Sequence, residues 1–122
     1  MPSLVGSEMC IETGLCDDHR KTIPLSVEDK TAYEAVNNHE HLLDDVSDEA
    51  FSELVADAPV LCRLIYCNIK MKYPHRKLAV YVAVSRHDSL TVRFHQVWMG
   101  ELPYYNPEDF SSRDERVFSL ID

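Results

Sequence analysis

Histidine and cysteine are the residues here whose chemistry depends most on spacing. Cys10, Cys16 and His19 fall within ten residues of one another, and His39 and His41 flank Glu40. A structural zinc takes four nitrogen or sulfur ligands, usually in tight pairs such as C-x2-C. The run C-x5-C-x2-H matches no such knuckle. On a helix, His39 and His41 would point about 200° apart and would not chelate together. Cys62 and Cys67 differ by an odd number, so a strand would send them to opposite faces. No metal site and no cofactor is expected, and the two cysteines are read as small buried hydrophobes.

Nucleophilic catalysis needs a serine or cysteine beside a histidine that a third group orients. The chain has no G-x-S-x-G, no H-E-x-x-H and no glycine-rich phosphate loop. His95 is the best-placed acid–base candidate, with Arg93 beside it on the same strand and Tyr81 on the one before. A histidine hydrogen-bonded on a sheet surface gives the same pattern, so no catalytic residue is assigned. The densest aromatic segment runs from Trp98 to Phe110 and includes Tyr104 and Tyr105. Such rings anchor interfaces, and they also fold back to cap a core. Both readings stay open at this point.

Charge is divided by position. Residues 1–60 carry fourteen carboxylates against Arg20, Lys21 and Lys30, whereas residues 61–100 carry seven bases against Asp88 alone. The net charge of −9 disfavours nucleic acid and anionic membranes as partners, because the overall field repels both. No stretch approaches the roughly 18 apolar residues that span a bilayer. The first ten residues lack the basic and apolar regions of an export signal. A cytoplasmic protein with reduced cysteines is the expectation.

Those side chains need a scaffold. Residues 1–24 hold Pro2, Gly6, Gly14 and Pro24 and read as an irregular or flexible arm; residues 25–122 read as one domain. A helix is expected after Ser26, running through Tyr33 and Val36 to Val46. A second starts at Ser47-Asp48-Glu49, with Phe51, Leu54, Val55 and Ala58 at helical spacing and Pro59 as its stop. Val60–Tyr73 is expected to be a strand, followed by strands over Leu78–Val84, Leu90–Trp98 and Val117–Ile121, the turns falling at Pro74-His75-Arg76 and Ser85–Ser89. The fold class is α+β, with N-terminal helices packed on one face of an antiparallel β-meander of three to four strands.

The helices should cover the row Leu78, Val80, Val82, Val84 and the row Leu90, Val92, Phe94. Tyr66, Tyr81, Arg93 and His95 then share the other face. The favoured reading is a small acidic protein that binds another protein with a basic surface, in its sharper form an inhibitor or immunity-type antidote. Asp44, Asp45, Asp48, Glu49 and Glu53, with Trp98, Tyr104 and Tyr105, are its partner-binding candidates. A second copy of the chain is also an admissible partner. The alternative is a ligand-binding or enzymatic domain with a pocket at Tyr66, Tyr81, Arg93 and His95.

Overall fold

A computed structural model describes residues 30–110 and 114–122. In chain order the elements are α1 (Lys30–Asn37), β1 (His39–Leu43), α2 (Asp48–Lys72), β2 (Leu78–Ser85), β3 (Leu90–Gln96), a short 3-10 helix (Pro107–Phe110) and β4 (Glu115–Ile121). The flexible arm expected over 1–24, the Ser26 helix start and the Cys10, Cys16 and His19 set lie outside the described residues. The strands form one antiparallel sheet in the order β1-β3-β2-β4. The α+β class therefore holds.

Strict alternation builds the centre. Val82 pairs with Val92 and Val80 with Phe94, so the two apolar rows of β2 and β3 lie side by side on one face. That face meets Phe51, Ala58, Cys62, Ile65 and Ile69 of α2, and together they make the main core. Phe118 and Leu120 extend it onto β4.

The strand expected over Val60–Tyr73 is instead the second half of α2. Ser47 caps the helix by accepting from the Ala50 amide, and Asp48 and Glu49 in its first turn suit the positive end of the helix dipole. Pro59 does not stop it. The spacing 51, 55, 58, 62, 65, 69 runs straight through the proline, and burying that stripe outweighs one lost backbone hydrogen bond. The 25-residue helix spans about 37 Å.

The first helix also differs from expectation. It ends at Asn37, where the Asn38 amide closes the last turn on the Glu34 carbonyl. His39–Leu43 then becomes a strand because β3 offers it an open edge. The Phe94 amide reaches the Asn38 carbonyl, and His39 sits opposite Arg93. Tertiary pairing overrides weak local preference here.

Neighbouring residues in α2 give a direct check on the helical assignment. Ile65 is buried in the core, whereas Leu64 is 56% exposed. Ile65→Ala is expected to cost about 2–5 kcal/mol, and Leu64→Ala under about 1 kcal/mol. Urea denaturation of both variants reads this out, and equal losses would contradict the placement of the helix.

Candidate functional site

The second sheet face carries Ala79, Tyr81 and Ala83 from β2 and Thr91, Arg93 and His95 from β3, with Tyr81 directly opposite Arg93. The segment after β3 folds back over it. Val97, Tyr104, Tyr105 and Phe110 pack onto Ala79, Tyr81 and Val117. Ring edges meet ring faces from Tyr81 to Tyr105 (5.3 Å), Tyr104 to Tyr105 (4.9 Å) and Tyr105 to Phe110 (5.2 Å). Tyr104 and Tyr105 thus cap the core.

Beneath this cover sits a polar cluster. The His95 Nδ1–H donates to the Gln96 carbonyl at 2.6 Å, since a carbonyl only accepts, which leaves Nε2 as an acceptor. Tyr81 Oη donates to that Nε2 at 2.8 Å, and the Tyr104 amide approaches it at 3.3 Å. Arg93 donates from Nε to Tyr105 Oη and from Nη1 to the Ala35 carbonyl, which ties α1 to β3. Tyr81 and His95 are both buried. Burial pushes the Tyr81 phenol up to about 12, although backbone amides of Tyr105 and Tyr104 favour its anion.

Glu34 is the second polar hub and was not singled out from sequence. Its Oε1 accepts from the Gln96 amide (2.9 Å) and Trp98 Nε1 (2.8 Å), and its Oε2 accepts from Gln96 Nε2 (2.8 Å). Arg76 Nη1 donates to Gln96 Oε1 at 2.7 Å. Trp98 is thereby fixed against α1, and Lys30 lies over its ring at 4.4 Å. A carboxylate inside a helix gives no sequence signal for such a role.

Tyr66 lies apart from the other three pocket candidates. It stands on α2, facing the opposite sheet face, and its hydroxyl donates to Asp122. Asp122 also accepts from Lys70 Nζ and the Leu78 amide, both at 2.8 Å. Partial burial works to raise the Asp122 carboxyl, but Lys70, Tyr66 and the Leu78 amide together hold it below its usual range. The described residues do include an apolar cleft of about 320 Å³, lined by Leu102, Pro103, Tyr105, Asn106 and Ile121. None of Tyr66, Tyr81, Arg93 and His95 lines it. Cys62 is no nucleophile: burial pushes its thiol up to about 11.

The acidic candidates divide in two. Asp48 is tied down, accepting from Arg86 Nη1 at 2.9 Å with His87 Nε2 at 3.1 Å, and the Arg86 hydrogen bond leads the effects that lower its carboxyl. Asp44 lies 3.3 Å from His41 Nδ1. Asp45, Glu49 and Glu53 stand exposed. At about 100° per residue, Glu49, Glu53, Asp57, Val60, Leu64, Cys67 and Met71 form one line along α2, opposite its core stripe. Val60 is 62% and Met71 82% exposed, and Cys67 is open to solvent as well. An outward helix face of this apolar length is the clearest unpartnered surface among the described residues.

No family model matches the chain, and neither a curated protein nor a solved structure does.

Burial raises the Cys62 thiol and the Tyr81 phenol, so folding favours the protonated form of each. Their contribution is complete below the ordinary values of 9.0 for Cys62 and 10.0 for Tyr81, and is lost as pH climbs through about 11 and 12. Thermal denaturation should show stability falling above pH 9. Tyr81→Phe is expected to cost about 0.5–1.5 kcal/mol at neutral pH and to flatten the alkaline loss. An unchanged alkaline slope in that variant would remove Tyr81 from the account.

Proposed function

We propose that this is a protein-binding protein that docks through the outward face of α2, its partner presenting a basic and apolar surface. The observation that supports this reading is the continuous line from Glu49 to Met71, acidic in its first half and apolar in its second. The carboxylates steer and orient a cationic partner, while Val60, Leu64 and Met71 supply the desolvated contact. In its sharper form the protein is a cytoplasmic inhibitor or immunity-type antidote masking a basic functional site. Tyr104 and Tyr105 then act from within by packing onto the second sheet face, and Trp98 by its hydrogen bond to Glu34 of α1. Asp48 serves the same end by clamping the start of α2 to the β2–β3 turn.

Among the described residues, the surroundings of His95 lend the alternative pocket no support. Both ring nitrogens are engaged, the ring is buried, and the apolar cleft opens beside Tyr105 instead.

The test is affinity capture from native lysate at low and high salt, run with the parent chain, a Glu49→Lys/Glu53→Lys variant and a Leu64→Glu variant. One basic protein near one-to-one stoichiometry is expected with the parent at low salt. Charge reversal should weaken capture at low salt most strongly, and Leu64→Glu should weaken it at every salt concentration. A partner held equally by all three proteins, or none held by the parent, would sink the proposal. Recovery of a second copy of the chain alone would replace it with self-association.

A further inference from the structure

His39 and His41 sit on β1, not on a helix, and that changes their chemistry. On a strand, residues two apart share a face. The register confirms it, with His39 opposite Arg93 and His41 opposite Thr91, both of the second sheet face. The two imidazoles lie with centroids 5.6 Å apart and planes at 69°. Both are exposed to solvent.

Each ring is also held by its other nitrogen. His39 Nδ1–H donates to the Val36 carbonyl at 2.6 Å, the last turn of α1 delivering that acceptor. His41 Nδ1 faces Asp44 Oδ1 at 3.3 Å, supplied by the turn after β1. A carbonyl and a carboxylate only accept, so each ring carries a hydrogen on Nδ1, and its neutral form keeps the lone pair on Nε2. One imidazole backed by a carbonyl and one by a carboxylate is the arrangement that orients metal-ligating histidines.

We propose that the Nε2 atoms of His39 and His41 bind one borderline divalent transition-metal ion, such as Zn²⁺, Ni²⁺ or Cu²⁺, at the open edge of the sheet. Two imidazole nitrogens select this class over Mg²⁺ or Ca²⁺, which take oxygen ligands. Each Nε2 would stand about 2.0–2.1 Å from a bound zinc. Among the described residues no third histidine, cysteine or carboxylate completes the set. The remaining coordination positions are left to water or to a donor outside the described residues. The site is separate from the outward face of α2 and does not depend on the function proposed above.

The experiment is calorimetric titration of the full chain with Zn²⁺ in a non-coordinating buffer under a non-thiol reductant, with histidine ring ¹⁵N shifts followed by NMR. Saturable one-to-one binding is expected, accompanied by movement of the His39 and His41 Nε2 signals. His39→Asn and His41→Asn should each weaken binding at least about tenfold, and Asp44→Asn, which removes only the carboxylate behind His41, by about 10–100-fold. His75→Asn should leave it unchanged. Circular dichroism checks that these exposed substitutions keep the fold. Binding that survives in the His39→Asn/His41→Asn double variant places the metal elsewhere and overturns the proposal. So does an absence of saturable binding up to millimolar metal, or Nε2 signals that do not move.

Discussion

Everything in this molecule follows from the burial of β2 on both faces. Residues 78–82 are each enclosed, so the strand needs cover above and below. Its Leu78–Val84 row is covered by α2, and its Ala79–Tyr81 row by the aromatic segment after β3. Those two demands explain the division of labour among the remaining residues. Large branched side chains lie on the helix side. Alanines alternate with one tyrosine on the other side, where the incoming rings need room. Among the described residues, a sheet of four strands buries its centre this way because helix and loop act as its two layers.

Polar groups enclosed by this arrangement hold the cover in place. Glu34 on α1 and His95 near the end of β3 between them fix Gln96, Trp98, Tyr81 and Tyr104. Each bond adds modestly in net terms, but each group would be costly to leave unpaired once buried. The aromatic segment is thus pinned at its start by the indole on Glu34 and midway by Tyr105 on Arg93 and Tyr104 on His95. Asn38 departs from this rule, since both polar atoms of its side chain are buried without a hydrogen-bond partner.

Legibility in the sequence tracked how many constraints bore on each segment. The rows of β2 and β3 read correctly because alternation and burial agree there, and both turns and β4 followed. Val60–Tyr73 was misread because odd-numbered Leu61, Ile65, Cys67, Ile69 and Met71 mimic a strand, and because Pro59 suggested a stop. The helical spacing from Phe51 through Ile69 was present all along and carried the better signal. β1 was illegible for a different reason: five residues, two of them histidine, become a strand only through pairing with β3. Of the candidate site residues, Tyr81, Arg93 and His95 do come together, while Tyr66 went elsewhere with the misread strand. The histidine pair on β1 could not be seen until its periodicity changed from helix to strand.

The register slip between His41 and Leu43 has a consequence for the protein's behaviour at high concentration. A straight outer strand offers an evenly spaced ladder of free amides and carbonyls on which further strands can stack. An irregularity in β1 twists that ladder out of true after three paired residues. Along the opposite border, Glu115 and Arg116 set charges at the start of β4. The irregularity on one rim and the charges at the start of the other make both less regular templates for the addition of further strands.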